Sequence, residues 1–184
     1  PYIMGDGFQG SVKTYNGTLA VQITAGELTL VSGSYVIGTD VPLGATLNIM
    51  KGVDLGFTHE NVEVYGTVNQ YGTVTAMTVS NGVCTPSSSS YTITVGTSTV
   101  SGTETPGVWN ALNGAVFKNI TLSGEGTINV SGAMIDAELT GVYGTNTTFP
   151  LNQNMVVSGT LTVTGQATLT IQGGLEIPEG TTVY

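Results

Sequence analysis

Tyr35-Val-Ile-Gly-Thr-Asp-Val-Pro-Leu-Gly-Ala-Thr-Leu-Asn-Ile-Met-Lys-Gly-Val-Asp-Leu-Gly-Phe57 is the stretch whose reading decides the fold. Its apolar residues fall in pairs two apart: Tyr35/Ile37, Val41/Leu43, Leu47/Ile49 and Val53/Leu55, with Gly38, Gly44, Gly52 and Gly56 in or beside the gaps. An i, i+2 pair puts two side chains on one face of a strand about three residues long. The corner after such a strand needs a residue that tolerates positive φ, which glycine and asparagine supply. The pattern continues outward in both directions. Val21/Ile23 and Leu28/Leu30 precede it, Val62/Val64 follows it, and successive pairs start 7, 7, 6, 6, 6 and 9 residues apart. Ile120/Leu122 and Ile128/Val130 repeat it, as do Leu161/Val163, Leu169/Ile171, Leu175/Ile177 and finally Val183.

Strands this short fall below the roughly five or six residues typical of sandwich strands. They suit a coil in which three strands make one turn of roughly 20 residues, within the range of repeat architectures. Turns then stack about 4.8 Å apart, with columns of Val, Leu and Ile filling the interior. The spacing therefore predicts an all-β fold, a parallel β-solenoid of short strands; the alternative is a β-sandwich or jelly roll. No helical periodicity of useful length appears. Residues 1–184 read as a single all-β domain with an irregular inserted segment at about 84–110. Within it, Cys84-Thr-Pro-Ser-Ser-Ser-Ser90 reads as a loop and Thr103-Glu-Thr-Pro-Gly-Val-Trp109 as a second excursion, with Tyr91-Thr-Ile-Thr-Val95 alternating as a strand between them.

Composition agrees with a β reading. The chain holds 31 Thr, 27 Gly and 22 Val, and only 8% of its residues are charged, against roughly 25% in an ordinary domain. It has no Arg and three Lys (Lys13, Lys51, Lys118) against twelve acids, for a net charge of −9. That balance argues against nucleic acid and against anionic membrane surfaces as partners. No run approaches the roughly 20 apolar residues of a membrane span, so membrane insertion is not expected. Pro1-Tyr2-Ile3 lacks the basic region of a signal peptide and an initiator Met, so the expectation is either a mature, processed protein or an excised piece of one. Cys84 is the single cysteine, so no intramolecular disulfide forms, and it reads as a small, partly buried thiol. Four N-x-Ser/Thr sequons begin at Asn16, Asn119, Asn129 and Asn146 and are candidate glycosylation sites. Alternation around Ile120 and around Ile128/Val130 turns the Asn119 and Asn129 amides outward.

The 35–57 stretch resembles a rung of extracellular parallel β-helix proteins, which recur to phrases of the form VPxGATLTIxxGVxLxF followed by LxVxGTLxxxGT. Here the follow-on is Val62-Glu-Val-Tyr-Gly-Thr-Val68 and Tyr71-Gly-Thr-Val74. Gly159-Thr-Leu-Thr-Val-Thr-Gly-Gln-Ala-Thr-Leu-Thr-Ile171 and Ile177-Pro-Glu-Gly-Thr-Thr-Val183 match again, so the likeness spans about half the chain. Such rungs occur in adhesins, surface-layer proteins, filament subunits and polysaccharide-active enzymes, so the resemblance speaks to architecture more than to function. More loosely, the chain is similar to subunits of archaeal surface filaments, some of which are sandwiches joined by donor strands; for the β-sandwich or jelly-roll alternative, this resemblance implies donor-strand exchange. The resemblance implies an extracellular or cell-surface location.

Catalysis is not expected. Lyases on β-helices rely on Arg or Lys near a calcium-bound acid cluster, and Arg is missing here. Hydrolases would need paired carboxylates. Asp136 with Glu138, Glu176 with Glu179, and Asp54, Glu60 and Glu63 read instead as solvated outward positions. His59 is the only histidine, has no nucleophile-elbow motif near it, and reads as a surface residue. No cofactor is expected; the one metal chemistry in view is calcium shared by carboxylates between stacked subunits, with no ligands assigned and no EF-hand loop present. The rung pattern runs almost to Tyr184, and no amphipathic helix closes either end. Exposed strand edges at both ends favour head-to-tail self-assembly into a homopolymer. The junction is expected at Tyr2, Ile3, Met4 and Phe8 on one side and Val183 and Tyr184 on the other, so that deleting residues 1–8 abolishes assembly. The chain thus reads as a structural subunit of an extracellular filament or cell-surface sheath. The alternative is an adhesin or surface-layer module that binds surface glycans or cell wall, whose mark would be a row of outward aromatics. Tyr15, Tyr65, Tyr71, Tyr91, Trp109 and Tyr143 share no common spacing.

Overall fold

The computed structural model describes residues 1–15, 17–112, 115–130, 136–149, 154–172 and 174–184; for Tyr15, Val130, residues 136–138, Phe149 and Asn154 it describes the backbone only. Among these residues the fold is all-β, with no helix. In chain order, β1 (Tyr2–Met4) and β2 (Gln9–Tyr15) precede the long β3 (Thr18–Leu30). Short strands follow: β4 (Gly33–Ile37), β5 (Ala45–Ile49), β6 (Val53–Phe57), β7 (Asn61–Val64), β8 (Thr67–Gln70) and β9 (Thr73–Ser80). The middle holds β10 (Val83–Pro86), β11 (Tyr91–Val95), β12 (Thr97–Val100), β13 (Thr103–Pro106), β14 (Val108–Ala111), β15 (Val116–Lys118), β16 (Ile120–Ser123) and β17 (Thr127–Val130). The last are β18 (Asp136–Tyr143), β19 (Thr147–Phe149), β20 (Asn154–Val163), β21 (Leu169–Ile171), β22 (Leu175–Glu176) and β23 (Thr182–Val183).

Most of these strands pair in parallel with strands 16 to 21 residues away in sequence, and farther where residues 77–106 intervene. The second half of β3 pairs with β5, then β8, β14 and β17 follow, forming a first ladder. The first half of β3 begins a second ladder through β4, β6, β9, β15, β18, β20 and β22. A third holds β7, β11 and β16, with Val41 bridging to Val64. Leu28, Leu47, Val68, Trp109 and Ile128 therefore stand opposite one another at offsets of 19, 21, 41 and 19 residues. The alternation that made the i, i+2 pairs legible turns these columns inward. One hydrophobic cluster runs from Val21 to Leu161, and Trp109 lies in it between Phe57 and Phe117, at ring-centroid distances of 6.3 and 6.1 Å. Each fully buried Val, Leu or Ile in it contributes about 1.5–3 kcal/mol.

The doubled offset before Trp109 comes from two antiparallel hairpins, β9–β10 and β12–β13. Their tips are Asn81-Gly82 (φ 50° and 76°) and Ser101-Gly102 (φ 50° and 76°), the left-handed pair that matches strand twist in a two-residue turn. Both are closed at the base: Ser87 N–H donates to Ala76 O (2.8 Å) and Gly107 N–H to Gly96 O (2.7 Å). The segment expected as one irregular insertion at 84–110 is thus corrected. β11 and β14 inside it keep ladder register, and the departures are residues 77–86 and 97–106. Trp109, read above as part of an excursion, is fully buried. The sheets are mixed, because β1 and β2 add antiparallel to the two halves of β3.

Two columns face outward. On the second ladder, Lys13, Ala20, Val36, Gly56, Thr75 and Lys118 stand in register. The β9–β10 hairpin folds back over the small residues in the middle of this column. A Cβ on Gly56 would overlap the Met77 side chain, and Val36 is only 5% exposed although it points away from the core. On the first ladder Asn48, Asn69, Asn110 and Asn129 stand in register, each donating its side-chain amide to the preceding one at 2.9–3.0 Å, with Asn48 donating to Glu27 Oε1 at 2.9 Å.

Candidate functional site

Apolar side chains left in water concentrate at two extremes, the start of the first ladder and the end of the second. At one extreme Tyr2, Ile3 and Met4 of β1 pair with Leu30, Thr29 and Leu28 of the same chain. The start of the chain is anchored there, since Val31 N–H (2.9 Å) and the Tyr35 hydroxyl (2.7 Å) both donate to Pro1 O. Phe8 packs half-buried against the core. The segment expected to dock on a neighbour therefore docks on its own chain, while Ile3 stays 59% exposed on its outer side. At the other extreme, Leu175 of β22 and Val183 of β23 pair with Met155 and Leu161 of β20. Tyr184 N–H donates to Leu161 O (2.9 Å), yet Ile177 and Tyr184 are 55% and 74% exposed. Among the described residues, no strand pairs with the outer edges of β1, β2, β22 or β23. An open edge is a template for another strand.

The sequons occupy unlike settings. Asn16 lies outside the described residues. Asn119, expected outward, sits at a left-handed corner (φ 55°) between β15 and β16, half-buried, and donates its amide to Ser87 O (2.9 Å). Asn129 does point outward, in the amide column. Asn146 is exposed, and its Oδ1 accepts from Thr168 N–H at 2.8 Å.

The remaining candidates are scattered. Asp54, Glu60, Glu63, Glu176 and Glu179 are exposed, while the Asp136 and Glu138 side chains fall outside the described set. Among the described residues no group of three or more His, Cys, Asp or Glu is placed to hold a metal. Cys84 is half-buried on the β10 strand of the first hairpin. Tyr91, Trp109 and Tyr143 are buried, and Tyr65 and Tyr71 are half-buried in different ladder corners. Burial pushes the Tyr143 phenol far up, only partly offset by a hydrogen bond with Thr121. His59 is exposed, with its ring against Gly38.

Sequence reasoning passed over Gln70. It is fully buried and donates to Gly72 O and Val116 O (both 3.0 Å), while its Oε1 accepts from Trp109 Nε1 (2.9 Å). The available signal was the alternation Val68-Asn69-Gln70, which places Gln70 inward in the manner of Val68. Comparison of the chain with protein-family models, curated proteins and solved structures returned no match.

Proposed function

We propose that the chain is a parallel β-solenoid that serves as a structural subunit of an extracellular filament or cell-surface sheath, assembling head to tail through backbone pairing between copies. The observation that carries this reading is the distribution of exposed apolar groups. Of the thirteen large hydrophobic residues exposed among the described residues, seven stand at the two extremes: Tyr2, Ile3, Met4, Leu175, Ile177, Val183 and Tyr184. A contact between two different surfaces of one molecule is heterologous and propagates without closing. The recurring ladder offset of 19 to 21 residues, lengthened only where the two hairpins intervene, and the dominance of parallel pairing support a coil over a sandwich, whose sheets are antiparallel. A secreted setting accords with the sequons; with a single cysteine, backbone ladders and packing take the place of disulfides.

The test is size-exclusion chromatography with negative-stain imaging of the full chain and of two variants, Ile3→Asp and Val183→Asp. Long regular polymers are expected from the parent chain and short species from each variant. A mixture of the two variants is expected to stop at dimers, because each retains one good edge. A parent chain that stays monomeric at all concentrations overturns the reading.

A further inference from the structure

We propose that an open groove of about 450 Å³ beside the β9–β10 hairpin, on the outer face of the second ladder where it begins at β2, binds a carboxylated sugar of the uronate class. Its volume lies within the roughly 300–1,000 Å³ of small-molecule sites. The charge of its lining runs against the rest of the chain. Twelve acids face three lysines and one histidine in the sequence, yet Lys13 and His59 line this groove and no carboxylate does. Asp40, next to lining residue Thr39, is engaged elsewhere, its Oδ1 accepting from Glu63 N–H at 2.9 Å.

The floor is built by register. Lys13, Ala20 and Val36 form one outward row, and Ser11 pairs with Gln22 in the next. Val79 of the hairpin forms the overhanging wall, and Thr39, Thr58 and His59 line the groove further. The His59 ring is seated by Gly38, since a Cβ there would come within 3.3 Å of its Cε1 and 2.7 Å of Thr58 Oγ1. The ring Nδ1 contacts the Gly38 carbonyl, which only accepts, so Nδ1 is the donor there and Nε2 is left for a ligand. Thr39 Oγ1 is buried and has no hydrogen-bond partner among the described residues, leaving it a donor and an acceptor to spare.

Each chemical group of a uronate has a counterpart here. The Lys13 ammonium suits the carboxylate. His59 Nε2, Thr39 and Gln22 suit ring hydroxyls, and Ala20, Val36 and Val79 offer aliphatic surface to the C–H face of the sugar. An acidic peptide would use the lysine but leave the hydroxyl-matching groups idle, so a sugar is favoured. This proposal does not rest on the assembly reading, because the groove belongs to each copy alone.

The experiment is an NMR titration of the isotope-labelled chain with trigalacturonate, maltotriose and triglutamate. Trigalacturonate is expected to give saturable shifts at the Gly38, Thr39, Thr58 and His59 amides below about 10 mM. Lys13→Gln should weaken that binding about fivefold, and Lys51→Gln, outside the groove, should leave it unchanged. Maltotriose, with hydroxyls and no carboxylate, should bind more weakly by a similar factor. Three results would overturn the proposal: no saturable shift with trigalacturonate, equal shifts from triglutamate at the same amides, or a Lys13→Gln variant that binds as the parent does.

Discussion

Replacing Gln70 by Met isolates what the buried amide contributes, since the thioether chain is about as long and carries no strong donor or acceptor. Three hydrogen bonds vanish: Trp109 Nε1–H to Oε1 (2.9 Å), and Nε2–H to Gly72 O and to Val116 O (3.0 Å each). Gly72 O keeps the Val116 N–H as a donor (3.1 Å), so it is not orphaned. The indole N–H is orphaned, because Trp109 is fully buried, and an unpaired buried donor costs about 1–3 kcal/mol. The weaker acceptor satisfaction at Val116 adds about 1 kcal/mol, and relief from burying the amide itself offsets a similar amount. The net expectation is a loss of about 2 kcal/mol, which at a urea slope of about 2 kcal/mol/M lowers the midpoint by about 1 M. Trp109 is the only tryptophan, so its fluorescence reads the transition and its indole proton gives one NMR signal whose solvent exchange should accelerate. The double variant Gln70→Met with Trp109→Phe should cost less than the two single losses together, by about 1 kcal/mol. A midpoint within about 0.2 M of the parent, or strict additivity in the cycle, would refute the assignment of this amide as the lock between the first and second ladders.

Three further expectations follow from other parts of the fold. Burial raises the Tyr143 phenol, and burial followed by the field of Tyr2 raises Tyr35. Folded values above the unfolded value near 10 mean that their stability is whole below about pH 10 and is lost as pH rises through the folded values. Urea midpoints should hold to about pH 10 and then fall, and Tyr143→Phe should flatten the fall; a parent midpoint constant through about pH 11 contradicts this. Gly56→Ala drives a methyl into Met77 and should cost about 1–3 kcal/mol, with faster amide exchange in residues 77–86 than in β11; equal exchange in both would count against the packing described. Excising residues 97–106 and joining Gly96 to Gly107, whose O and N already lie 2.7 Å apart, should leave Trp109 fluorescence unchanged and stability within about 1 kcal/mol. A shifted emission maximum would show that the hairpin supports the ladder.

The inward columns were legible because each i, i+2 pair is a local pattern. Val21/Ile23, Leu28/Leu30, Leu47/Ile49, Val53/Leu55 and Val62/Val64 are all buried. Leu43 is not, because only Val41 joins a ladder before Pro42-Leu43-Gly44 turns toward β5. Val68/Gln70 and Trp109/Ala111 are buried too, but do not stand out as apolar pairs because a polar and a small residue fill their second positions. The hairpins were readable in principle, since Asn81-Gly82 between alternating stretches is a strong local turn signal. What local patterns do not carry is where a departure returns. That β11 resumes register after 77–86, and that the same hairpin roofs a groove against Lys13 and His59, depends on contacts between residues far apart in sequence.

The row of asparagine amides on the first ladder has a chemical consequence in time. Each amide donates in the same direction, from Asn129 to Asn110, Asn69, Asn48 and at last Glu27. Side-chain amides hydrolyse slowly, losing ammonia and leaving a carboxylate, which is one reason asparagine is thermally labile. At Asn110 that change sets an acceptor against the Oδ1 of Asn69 and adds charge to a chain already at −9. Rotating Asn69 does not repair the mismatch, because its amide then abandons Asn48. The outer face is thus a clock of sorts: a newly made copy carries one unbroken file of amides, and an old copy is cut into shorter files wherever ammonia has been lost.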